Sequence, residues 1–89
     1  MKFYHGTSED NWKRIQEEGV LWGERGYGVS RCTYLAIDEK EASNYGSILL
    51  EIEYDPFENP EENNYCENCW QVRVYEPIPI ENISRIWLQ

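Results

Sequence analysis

Apolar and polar positions change their period along the chain, and each change marks an element. Lys2–His5 reads as a short strand. From Thr7 onward the period becomes helical: Trp12 and Ile15 recur three residues apart, either Thr7 or Ser8 offers a capping hydroxyl, and Asp10 or Asn11 follows at the third position. Gly19 is a natural stop, because glycine enters the left-handed region without steric cost. Val20-Leu21 leads into the glycine-punctuated stretch Gly23-Glu24-Arg25-Gly26-Tyr27-Gly28, a loop or turn. Thr33–Ile37 is apolar and strand-like; Asp38 then opens a second helix with Glu41 in the capping-box position, and Gly46 ends it. Ser47–Tyr54 is the clearest strand, with Ile48, Leu50, Ile52 and Tyr54 alternating with other side chains. Asp55–Cys69, with Pro56, Pro60, Asn59, Asn63, Asn64 and Asn68, holds more turn formers than a strand tolerates and reads as a loop. Trp70–Tyr75 is a strand, Pro77–Ile83 a turn or short helix, and Ser84–Leu88 a final strand.

That order predicts an α+β domain, since strands and helices do not alternate regularly enough for a doubly wound parallel sheet. At 89 residues the chain is expected to form one domain spanning 1–89. Its four Trp and seven Tyr supply much of the area a small core needs. The Gly26–Gly28 pair lacks the third glycine and the following helix of a dinucleotide-binding turn, and is set aside.

Charge adds a sharper constraint. The formal charge is −9, and between Lys40 and Arg73 there is neither Lys nor Arg, while Glu51, Glu53, Asp55, Glu58, Glu61, Glu62 and Glu67 all fall in that interval. Nucleic-acid surfaces need clustered positive charge, so nucleic acid is not an expected partner. The acids suit a solvated face that keeps a small protein soluble, or a surface for a basic partner. No run approaches the roughly 18 apolar residues of a membrane span, and Met1–Asp10 lacks a secretory apolar region. Three cysteines, Cys32, Cys66 and Cys69, are an odd count, which with no export signal points to free thiols in the reducing cytoplasm. Cys66-Glu67-Asn68-Cys69 has the spacing of a zinc or redox pair, but a second such pair is absent, so ordinary thiols and no metal site are expected.

Three segments carry a resemblance. Tyr4-His5-Gly6-Thr7-Ser8 opens the chain; Thr33-Tyr34-Leu35-Ala36 is followed by Ala42-Ser43-Asn44-Tyr45 and Ile48-Leu49-Leu50-Glu51-Ile52; Gln71-Val72-Arg73-Val74-Tyr75-Glu76 comes last. In order and spacing these resemble the ADP-ribosyltransferase superfamily, in particular the core of poly-ADP-ribose polymerases. Tyr75-Glu76-Pro77-Ile78 is also similar to rifamycin-modifying members. The resemblance runs from about Phe3 to Ile83 and implies a mostly antiparallel split sheet with two short helices.

It also implies NAD as the substrate, held by His5, Gly6, Thr7, Tyr34, Leu35, Ala36 and Tyr45, with nicotinamide released and ADP-ribose passed to a protein acceptor. The residue types suit this. His5 can hydrogen-bond a ribose hydroxyl, Gly6 lets backbone approach a carboxamide, Thr7 adds a hydroxyl, and Tyr34 and Tyr45 offer faces to a flat ring. Two departures weigh against turnover. Ala42 stands where active polymerases carry a serine, with Ser43 one place on and about 100° round a helix. Gln71 stands where they carry the glutamate that stabilises positive charge as the glycosidic bond breaks. A loop acid, Asp55, Glu61, Glu62 or Glu67, would then have to serve, Glu67 being nearest the strand; the catalytic set is expected to be Gln71, Glu67 and His5. The alternatives are a non-catalytic NAD-binding, ADP-ribose-binding or protein-inhibiting module of the same fold, and an RNA 2′-phosphotransferase, which the lack of arginines from Glu41 to Val72 disfavours. So small and acidic a version resembles a bacterial or phage protein.

Overall fold

Strand β1, Lys2–Thr7, carries the whole arrangement, because both halves of the main sheet are built outward from it. In the computed structural model, which describes residues 1–23 and 31–86, five strands lie in the order β5-β3-β1-β4-β7 with every pairing antiparallel. Here β3 is Thr33–Ala36, β4 Ile48–Glu53, β5 Gln71–Val74 and β7 Ile83–Ile86. The protein is thus a small α+β domain with a mostly antiparallel sheet and two short helices. Successive side chains on a strand face opposite sides, and here the two faces divide the apolar residues. Phe3, Leu35, Leu50, Ile52, Val72 and Val74 pack with Ile15, Leu21, Ile78 and Ile83 in the main core. On the opposite face Ala36, Ala42 and Leu49 form a smaller cluster flanked by Tyr4 and Ile86.

Helix α1, Glu9–Glu18, begins as the sequence suggests: Ser8 is the cap, its hydroxyl accepting from the Asn11 N–H at 3.2 Å. Gly19 ends it at φ 77°, donating to the Ile15 carbonyl at 2.8 Å. Ile15 is the residue this helix buries. The second helix is shorter than expected. Only Glu39–Ala42 (α2) is α-helical, and Ser43–Tyr45 tightens into a 3₁₀ turn. Asp38 caps it through the Lys40 N–H at 2.7 Å.

Two elements depart from the sequence reading. Val20–Leu21 is a short strand, β2, paired with Ile78–Pro79 (β6), so Pro77–Ile83 contains a strand residue pair before its 3₁₀ turn Ile80–Asn82. The stretch 55–69 is no slack loop. Asn63 Nδ2 donates to the carbonyls of Pro56 and Asn59 at 3.0 Å and to the Tyr54 hydroxyl at 3.1 Å. Asn64 N–H donates to Arg73 at 3.1 Å, Tyr75 N–H to Glu62 at 2.8 Å, and Asn63 bridges Val74. The acidic segment therefore straps the outer edge of β5, a natural way to cover an exposed strand edge.

The cysteine expectation is corrected. Cys69 N–H donates to the Cys66 carbonyl at 3.1 Å, and this turn brings their Cα atoms to 5.5 Å, within disulfide range; the two are joined and Cys32 alone is free. The inference to a reducing cytoplasm rested on free thiols and loses that support. No helix among the described residues is long and apolar enough to cross a membrane. The Gly26–Gly28 turn and Leu88 lie outside the described residues.

Candidate functional site

The site follows from an unequal use of β1. Its Lys2–Thr7 positions all pair with β4, from Lys2↔Glu53 to Thr7↔Ile48. Toward β3 it is bridged at Tyr4↔Ala36 alone. Beyond that pair the Tyr34 carbonyl takes its hydrogen bond from a side chain: His5 Nδ1 lies 2.8 Å from it. A carbonyl only accepts, so Nδ1 carries the hydrogen, and in the neutral ring Nε2 is left as an acceptor. Burial holds the imidazole below its ordinary pKa, outweighing the opposite pull of the Tyr34 carbonyl, so His5 is neutral at pH 7.

Where β1 and β3 part, a cleft of about 290 Å³ opens, lined by Tyr4, His5, Gly6, Tyr34, Ala36, Ala42, Tyr45 and Gln71. Tyr34 and Tyr45 line it and stand 50% and 60% exposed. Tyr34's hydroxyl is held above the usual phenol pKa, chiefly by its contact with the Cys32 thiol, and stays protonated. Gln71 enters from the start of β5, paired with Ala36. Ala42 faces the cleft, whereas the Ser43 hydroxyl turns away to donate to the Lys40 carbonyl at 2.7 Å. Gly6 serves packing as much as access: a Cβ there would run into the Ala42 carbonyl oxygen, so its bareness lets α2 close down on β1.

A second hollow of about 430 Å³ shares His5, Gly6, Tyr34 and Tyr45 with the cleft and continues past Thr7, Thr33 and Cys32 to Ser8, Asn11 and Arg14 at the start of α1. Trp22 also lines it, with Arg31 stacked over the indole at 4.3 Å to the ring centre and donating to the Gly23 carbonyl at 2.6 Å. Trp22 Nε1 is buried with no hydrogen-bond partner among the described residues. A third, shallower hollow of about 460 Å³ shares Tyr34 and Gln71 and extends to Trp70, Asn64, Asn68, Cys69 and Arg73.

Of the residues singled out in the sequence, His5, Gly6, Tyr34, Ala36, Tyr45 and Gln71 converge on the first cleft. Thr7 is buried and lines only the second hollow. Leu35 is wholly buried in the main core on the other face. Glu67 is exposed in the turn closed by the disulfide, Glu61 and Glu62 lie in the 3₁₀ turn Pro60–Glu62 beside the outer edge of β5, and Asp55 accepts from the Phe57 N–H just after β4; none of the four lines the cleft. Among the described residues no carboxylate lines that cleft, and Glu18 is the acid of the second hollow. Trp22, Arg31 and Arg14 were not foreseen, and nothing local marks them, since their place depends on how α1 and β2 fold against β3. No group of three or more metal-ligating side chains occurs among the described residues. No family model matches the chain, and neither a curated protein nor a solved structure matches it.

Proposed function

We propose that the chain binds NAD in the cleft between β1 and β3 and transfers ADP-ribose to a protein acceptor, releasing nicotinamide. The observation that carries this reading is the convergence of His5 and Gly6, Tyr34, Ala42 and Tyr45, and Gln71, from four separated segments, on one concave aromatic site. Such a pocket, mostly apolar with a few placed polar groups, is the usual form of a small-ligand site. In this reading nicotinamide lies between Tyr34 and Tyr45, where ring stacking adds about 1 kcal/mol beyond area burial. The free Nε2 of His5 accepts from a ribose hydroxyl, and the Gln71 amide orients another. The rest of the dinucleotide runs into the second hollow, along the wall that Trp22 shares with Ser8, Asn11 and Arg14.

Gln71 orients without charge, so charge stabilisation as the glycosidic bond loosens is weak. A second reading, a module that holds NAD or ADP-ribose without turning it over, is favoured by the absence of any carboxylate lining the cleft among the described residues. Calorimetry with NAD tests the shared premise: His5→Ala and Tyr34→Ala each weaken binding about tenfold, about 1.4 kcal/mol. Unchanged affinity in both variants removes the site. Nicotinamide release then separates the two readings. Gln71→Glu restores a carboxylate of nearly the same shape and raises hydrolysis of NAD by about 10²–10³, the usual effect of one such electrostatic group. If neither the wild type nor this variant releases nicotinamide while both bind NAD, the binding-module reading stands.

A further inference from the structure

The disulfide between Cys66 and Cys69 is not used by the reading above, yet Cys69 stands two residues before Gln71 of the cleft wall. Cys69 is followed by Trp70, whose carbonyl accepts from the Ile37 N–H at 3.0 Å, and then by Gln71. Upstream, Asn64 is fixed to Arg73 through both its backbone N–H, at 3.1 Å, and its side-chain oxygen. The chain thus leaves the edge of β5 at Asn64 and returns at Trp70, and the disulfide closes the turn in between. Crosslinking residues so near in sequence removes little entropy from the unfolded chain, so a general stabilising role explains it poorly. Both cysteines are exposed residues in a surface turn, the setting in which thiol–disulfide exchange takes place. Cys69 also lines the shallow hollow that shares Tyr34 and Gln71 with the cleft.

We propose that Cys66–Cys69 is a thiol–disulfide exchange site whose redox state sets the position of Trp70 and Gln71 and, through Gln71, the affinity of the cleft. The co-reactant is a dithiol, free or on a reducing protein. One of its thiolates attacks a cysteine sulfur; the S–S bond breaks, and its electron pair leaves on the other cysteine, which takes up a proton. The second thiol of the co-reactant then displaces the mixed disulfide, leaving Cys66 and Cys69 reduced and the co-reactant oxidised. Two electrons and two protons pass in all. Closed, the turn delivers Trp70 to its bond with Ile37; opened, it gains freedom at the point where β5 begins.

The statement about affinity rests on the NAD reading, but the exchange site does not, and the experiment keeps them apart. The protein is compared with and without dithiothreitol under native conditions. Alkylation and intact mass count one reactive thiol, Cys32, in the oxidised form and all three after reduction. Hydrogen exchange at the Ile37 amide, which reports its bond to the Trp70 carbonyl, speeds by about tenfold on reduction, as expected when a local bond opens. NAD affinity falls by about fivefold, within the ordinary range of a coupling between two sites. Cys66→Ser with Cys69→Ser behaves as the reduced form and ignores the reductant, while Cys32→Ser, used for the thiol count alone because Cys32 lines the second hollow, shows no reactive thiol when oxidised and two after reduction. A disulfide that resists reduction in the folded protein overturns the exchange site. Complete reduction with unchanged Ile37 exchange overturns the positioning. Should NAD bind in neither state, the NAD reading fails, and the Ile37 amide alone decides whether the turn is a switch.

Discussion

The two flanks of β1 are made from the same six residues and do opposite things. Toward β4 every position pairs, and Phe3, Leu50 and Ile52 on that side are fully buried. Toward β3 one pair is made, and the strands then part around a cleft whose rim carries exposed tyrosines. A parted ladder leaves backbone groups in need of other partners. His5 meets part of that need by bonding the Tyr34 carbonyl. The zipped flank supplies the rigidity, and the parted flank uses it to hold a concave surface open.

Breaking the zipped flank should have the largest effect. Leu50 is fully buried and faces His5 across the β1–β4 ladder. Leu50→Ala leaves a cavity and is expected to cost about 2–5 kcal/mol of stability, measured by urea unfolding. A loss under about 1 kcal/mol would mean that this flank does not carry the core. Gly6→Ala comes next. Its methyl group meets the Ala42 carbonyl and forces α2 off β1, at about 1–3 kcal/mol as for other overpacked sites. Because Ala42 and Tyr45 move with α2, NAD binding should fall more steeply than it does in Leu50→Ala at equal residual stability. Equal losses in both variants would erase the distinction between the flanks.

The sequence revealed the zipped flank more readily than the parted one. The alternation of Ile48, Leu50 and Ile52 and the Ser8 and Gly19 caps of α1 are local signals, and the structure follows them. Strands β2 and β6 are two residues each and exist only by pairing with one another across most of the chain, so no local period announces them. The short α2 has a similar cause: its last turn tightens where Ala42 and Tyr45 press on Gly6. The site was legible as residues but not as sides. Tyr34 and Ala36 line the cleft while Leu35 between them enters the core, which the twofold period of a strand implies and a motif read as a unit hides. Glu67 is near Gln71 in sequence, but it lies in the turn closed by Cys66 and Cys69 and does not line the cleft.

The mildest test leaves both flanks intact and titrates the residue at their junction. His5 has its pKa lowered by burial, so the folded protein favours the neutral ring more than the unfolded chain does. Below the unfolded value, about 6.5, the unfolded state therefore binds more protons. The stabilising contribution is complete above pH 6.5 and is lost as pH falls through the lower, folded-state value. Thermal midpoints should accordingly decline on acidification from pH 7. Glu76 acts in the other sense: burial first, then the charges of Glu62, Glu58 and Glu61 against a contact with Asn59, raise its pKa, so its protonation at lower pH favours the fold. Subtracting a His5→Asn variant isolates the histidine, because the Asn amide can still donate to the Tyr34 carbonyl but does not titrate in this range. The wild-type midpoint should fall relative to the variant as pH drops below 6.5, and NAD affinity should fall with it, since a protonated Nε2 no longer accepts. If the two proteins keep a constant difference from pH 7.5 down to about pH 5, His5 binds its proton equally well in the folded and unfolded states and burial does not lower its pKa. The bond that holds β1 to β3 past Tyr4↔Ala36 would then owe nothing to a neutral imidazole.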